Sequence, residues 1–81
     1  MNAEGLRVLR AVAWSERMSS APMVPLKGIA VATLGGDADL AARVLAALDQ
    51  EGWVGTDTMG WQSGWLTGKG RSQAAVLTPP R

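Results

Sequence analysis

No cysteine and no histidine occur among the 81 residues. Their absence removes disulfide staples, thiolate nucleophiles, imidazole acid–base chemistry and the usual zinc-ligand sets. Phenylalanine and tyrosine are missing as well, so the aromatic inventory is four tryptophans. An excess of one charge is also lacking. Eight basic and seven acidic side chains leave +1, too little for a whole-molecule field that draws in nucleic acid. No apolar run reaches the length of a secretory or membrane-spanning segment, and an acid, Glu4, stands close behind Met1. A cytoplasmic location with no membrane partner is therefore expected. Lysine is confined to Lys27 and Lys69 and isoleucine to Ile29, against abundant Ala, Gly, Val and Arg, a usage that fits a GC-rich genome.

What is present suits a folded chain: 47% apolar and 19% charged residues, in the range of globular domains rather than disorder. A chain of this length makes one domain that buries roughly 60% of its unfolded surface, so its stability is modest. The expected organisation is one domain over residues 1–75 and a flexible tail over 76–81, where Thr78-Pro79-Pro80-Arg81 frays.

Hydrophobic periodicity predicts a mainly α domain with a small β-hairpin. Leu6, Leu9, Val12 and Ala13 recur at the three-to-four spacing of one buried stripe, giving a first helix over residues 4–18. At about 100° per residue, Arg7, Arg10, Trp14 and Arg17 gather on a neighbouring arc. Ser19-Ser20-Ala21-Pro22 breaks the pattern. Pro25 suits the first turn of a short second helix over 25–34, with Ile29, Ala30 and Leu34 apolar. Gly35-Gly36 closes it, because glycine accepts the left-handed conformation at a helix end. Asp37 or Asp39 then caps a third helix that runs to about Gln50, with Ala41, Val44, Leu45 and Leu48 turned inward and Gly52 as its stop. Beyond it, two β-compatible runs, 53–56 and 61–66, flank a loop at Asp57-Thr58-Met59-Gly60. Thr67 is placed to cap a final turn or helix at 68–75.

Three of these segments resemble a known architecture. Ile29-Ala30 with Thr33-Leu34-Gly35, followed by Arg43, Leu45, Leu48 and Gly52-Trp53-Val54, is similar to the helix-turn-helix core of winged-helix regulators. Gly64-Trp65-Leu66-Thr67-Gly68-Lys69-Gly70-Arg71 resembles the return of the wing in MarR-type proteins, and the proline entry to helix two is similar to the LexA N-terminal domain. The resemblance spans residues 4–71. It implies a three-helix winged helix-turn-helix whose third helix lies in the major groove of double-stranded DNA, with the wing on the flanking backbone.

Under that reading the outward positions of helix three are Asp39, Leu40, Ala42, Arg43 and Ala46. Only Arg43 suits base reading, through bidentate bonds to guanine O6 and N7. The competing role for Arg43 is an ion pair with Asp39 or Asp49. Asp37 and Asp39 would repel phosphates, yet both are ordinary helix-start residues. Lys27, Gln62, Ser63, Lys69 and Arg71 are the candidate backbone contacts. About four such contacts give weak, salt-sensitive binding, so a specific site calls for a homodimer on two half-sites.

The tryptophans support a second reading, a protein-interaction module. Trp53 takes a position that the resemblance fills with a core residue. Trp61 and Trp65 lie an even number of positions apart on one expected strand and share a face, opposite Gln62, Gly64 and Leu66. With Leu66 docked inward, both are expected to be at least half exposed and available to a partner; the alternative is that Trp65 folds back over helix one. Trp14 among Arg7, Arg10 and Arg17 suggests cation–π stacking or a partner surface. No catalytic residue, metal ligand or cofactor is assigned. The seven acids form no paired arrangement, and Gly68-Lys69-Gly70 is far short of a phosphate-binding loop.

Overall fold

Four helices and an antiparallel ribbon follow one another along the chain in the computed structural model, which describes residues 2–20, 22–57 and 59–77. Helix α1 spans Ala3–Ser19 and begins at Asn2, whose side-chain oxygen accepts from the Gly5 amide at 2.8 Å, satisfying one of the unpaired donors of a helix start. Its buried stripe is Gly5, Val8, Leu9 and Val12, displaced from the expected one: Leu6 and Ala13 are only half-buried. The cause is tertiary. Helix α1 packs against α2 (Leu26–Thr33), α3 (Ala38–Gln50), strand β2 (Gly64–Leu66) and α4 (Gly68–Leu77), so its inward arc is set by several neighbours rather than by its own largest side chains.

Between α1 and α2, Val24 pairs with Gly64: each amide donates to the other's carbonyl, at 2.8 and 2.9 Å. A single strand-like residue has no periodicity to read, so the pairing has no sequence signal. Pro25 caps α2 with φ −77°, and its carbonyl accepts from Ile29. Helices α2 and α3 end alike. The Gly36 amide reaches back to the Val31 carbonyl at 2.8 Å, and the Trp53 amide to the Leu48 carbonyl at 2.9 Å. Gly35 and Gly52 occupy the left-handed position in these Schellman closures, at φ 73° and 80°. Asp37, not Asp39, caps α3, accepting from the Leu40 amide at 3.0 Å. The inward face of α3 is Ala41, Val44, Leu45 and Leu48, as its periodicity predicts.

Strand β1 (Val54–Thr56) pairs antiparallel with β2, with Val54 opposite Leu66, Gly55 opposite Trp65 and Thr56 opposite Gly64. The connection is longer than the expected loop. It contains a turn over Met59–Trp61 in which Gly60 and Trp61 both have positive φ, 74° and 54°; Thr58 lies outside the described residues. Trp61 is therefore not in the strand. Thr67 starts α4 as expected, its hydroxyl oxygen accepting from the Gly70 amide at 3.0 Å. Helix α4 continues to Leu77, two residues past the expected domain end, and 78–81 of the expected tail lie outside the described residues. The core joins Val8, Leu9 and Val12 to Val24, Leu26, Ala30, Leu34, the inward face of α3, Val54, Leu66 and Ala74. Among the described residues no helix is long and apolar enough to cross a membrane.

Candidate functional site

The outward side of α3 carries Asp39, Arg43, Ala46, Ala47, Asp49 and Gln50, all exposed. Of the expected reading positions, Leu40 and Ala42 are half-buried, and Leu40 packs against the core. The Ala46-Ala47 pair leaves the middle of this face short and smooth. Arg43 projects from it, and among the described residues it pairs with neither Asp39 nor Asp49. Asp49 has another role: its carboxylate accepts from the Trp61 indole N–H at 3.4 Å. That bond ties the turn over Met59–Trp61 to the last turn of α3.

The remaining expected DNA contacts fall into two groups. Lys27, exposed in the first turn of α2, and Gln62, exposed just after the turn, belong to a region where α2, α3 and the turn pack on one another. Arg43 lies on that same assembly. Ser63, next to Gln62, is half-buried, and its carbonyl accepts from the Thr56 hydroxyl at 2.5 Å. Lys69 and Arg71 sit instead on α4, which packs on α1 and β2, and both are engaged within the molecule. Lys69 Nζ donates to the Glu51 carbonyl at 2.8 Å and lies 4.3 Å from the centre of the Trp53 ring. A cation at this point satisfies a carbonyl at the C-terminal end of α3 and stacks on an aromatic face. Arg71 Nε lies 3.4 Å from Glu16 Oε1.

The tryptophans are distributed otherwise than the expected interface requires. Trp61 and Trp65 are both less than half exposed. The Trp65 indole lies over Gly55, its cross-strand partner: a Cβ built on Gly55 would stand 2.5 Å from Trp65 Nε1. It thus covers the ribbon backbone instead of standing free. Trp61 packs against the core, which explains why a bulky residue holds a left-handed conformation there. Neither side chain therefore has the half-exposure expected of an interface pair. Trp14 is the exception, at 60% exposure. Arg10 and Arg17 beside it are exposed and make no ion pair among the described residues, whereas Arg7 donates from Nη2 to the Thr33 carbonyl at 3.1 Å, closing the end of α2.

Residues missed by sequence reasoning include Glu16, Met18 and Met23. Glu16, with its side chain 15% exposed, accepts from the Leu66 amide at 2.9 Å through Oε2 while Oε1 meets Arg71. One carboxylate thereby joins α1, β2 and α4. A shallow recess bounded by Ala13, Arg17, Ala74 and Ala75 opens beside it. A carboxylate with a partner 50 residues away has no local signal. Met18 and Met23, at 64% and 41% exposure, extend the apolar surface of Trp14. Comparison with protein-family models, with curated proteins and with solved structures finds no match to this chain.

Proposed function

We propose that this chain is a winged helix-turn-helix that binds double-stranded DNA, with α3 in the major groove and the segment after β1 against the backbone. The observation that carries the reading is the Val24–Gly64 pairing. It supplies a strand-like residue between α1 and α2 that adjoins the β1–β2 ribbon, giving the order helix, strand, two helices, two strands. The Gly35-Gly36 closure sets α2 and α3 close in sequence, as a helix-turn-helix requires. Arg43, exposed and without an ion pair among the described residues, is the base-reading residue; Lys27 and Gln62 are the phosphate contacts on the same assembly. Lys69 and Arg71 serve chiefly to hold α4, so the contact set is smaller than the sequence suggests. Binding by one copy is accordingly weak, with a dissociation constant of about 10⁻⁴–10⁻⁶ M on arbitrary duplex. Sequence preference then requires two copies on two half-sites.

The test is a salt titration of duplex binding followed by selection from a random-sequence duplex pool. Affinity should fall with salt, and selected sites should contain guanine at a fixed position. Arg43→Glu should weaken the selected site by about ten- to a hundredfold, the worth of one bidentate base contact, with the circular-dichroism spectrum unchanged. Absence of duplex binding at low ionic strength overturns the proposal.

A further inference from the structure

The outward face of α1 combines exposed arginines with exposed large apolar side chains. Its inward stripe, Val8, Leu9 and Val12, packs on the core, so the opposite arc points away from α3. That arc presents Arg10, Trp14, Arg17 and Met18, all exposed, and no acid lies among them, since Glu16 is turned inward to Leu66 and Arg71. At the C-terminal end of α1 the arc runs into a groove of about 460 Å³ walled by Trp14, Met18, Met23, Val24 and Pro25. Exposed large apolar side chains among the described residues are Trp14, Met18 and Met23, and all three border this groove. Exposed apolar side chains gathered in one patch beside charges of a single sign mark a binding surface rather than scattered exposure. Two methionines give it walls that adjust to the shape of an inserted side chain.

We infer that this groove docks an acidic amphipathic segment of another protein, with an apolar side chain seated between Trp14, Met18 and Met23 and carboxylates against Arg10 and Arg17. Charge complementarity selects the occupant. A second copy would bring Arg10 and Arg17 against their own equivalents, a like-charge contact that opposes pairing. A helical segment can seat one side chain between Trp14, Met18 and Met23, which come from two separate stretches of the chain, and reach Arg10 and Arg17 along α1. The surface is separate from α3, so it stands or falls independently of duplex binding.

The probe is a synthetic helical peptide of about four turns with leucines on one face and glutamates on the other, titrated into the full chain and followed by backbone amide shifts. Shifts should map to Arg10, Trp14, Arg17, Met18 and Met23, saturate, and weaken as salt screens the charges. Trp14→Ala combined with Met18→Ser should weaken binding about tenfold or more, as loss of an aromatic anchor does, while Arg43→Glu leaves it unchanged. Both substitutions lie at exposed positions, and unchanged amide dispersion elsewhere verifies the fold. The same peptide with lysine in place of glutamate should not bind. Equal binding of the lysine peptide, shifts centred on α3, or no saturable shift at millimolar peptide overturns the inference. So does partitioning onto phosphatidylglycerol vesicles without peptide binding, or sedimentation as a dimer that Trp14→Ala dissociates.

Discussion

Glu16 shows how much one side chain decides in a domain of this size. A carboxylate that accepts the Leu66 amide and meets Arg71 does little for stability through its ion pair, because Arg71 is 60% exposed and such pairs are worth under about 1 kcal/mol. Its larger contribution is the hydrogen bond to a part-buried backbone donor. Removing the acceptor leaves that N–H unsatisfied, which costs about 1–3 kcal/mol. Glu16→Ala should therefore lower the urea midpoint substantially, and Glu16→Gln, which keeps an acceptor, should recover most of the loss. Equal effects of the two substitutions would show that charge rather than hydrogen bonding matters. Trp61 poses the reverse case: a left-handed conformation costs a non-glycine residue about 1–2 kcal/mol, and packing of the indole on the core with a bond to Asp49 offsets it.

At the scale of elements, the helices obey local rules while the ribbon depends on close approach. Asn2, Asp37 and Thr67 are polar caps at three helix starts, and Gly35 and Gly52 close two helix ends. All but the Asn2 cap were legible in the sequence as single-residue chemistry next to a periodic segment, with Asp37 and Asp39 both open at the start of α3. The extent of the ribbon was not. Gly64 pairs with Val24 on one side and Thr56 on the other, and it lies so close to the Gly55 carbonyl and the Leu26 side chain that a Cβ would overlap both. Gly64→Ala should thus break the Val24 pairing and cost about 1–3 kcal/mol, the range for overpacking a filled site. Loss of hydrogen-exchange protection at the Val24 and Gly64 amides, with α3 protection retained until global unfolding, is the expected result. Full protection at both amides in the variant would refute this account.

For the molecule as a whole, stability is small enough that core losses and function are coupled. A chain of this length is expected to hold about 4–12 kcal/mol. Leu9, fully buried where α1 meets the shared core, contributes a large part: Leu9→Ala should cost about 2–5 kcal/mol. The urea midpoint should fall with little change in slope, and a slope change would signal a partly unfolded native state. At this scale the two faces also separate. Helix α3 with Lys27 and Gln62 and the α1 face with its groove are separate surfaces, so the two proposals are tested independently in a single copy.

The sequence by itself determined the helices, the stops of α2 and α3, the inward face of α3, the cap at Thr67 and the prominence of Arg43 and Trp14, because each follows from local periodicity or one residue's chemistry. Tertiary structure decided the rest. The buried arc of α1 was set by four neighbouring elements, and the Val24–Gly64 pairing joins residues 40 apart in a contact with no local pattern. The same holds for the charges and tryptophans. Lys69 and Arg71 looked free until their partners on α3 and α1 were in place, and Trp61 and Trp65 looked exposed until a positive φ and a bare glycine gave them surfaces to cover. Which side chains remain available to a partner is a property of packing, and packing is a sum over contacts distant in the chain.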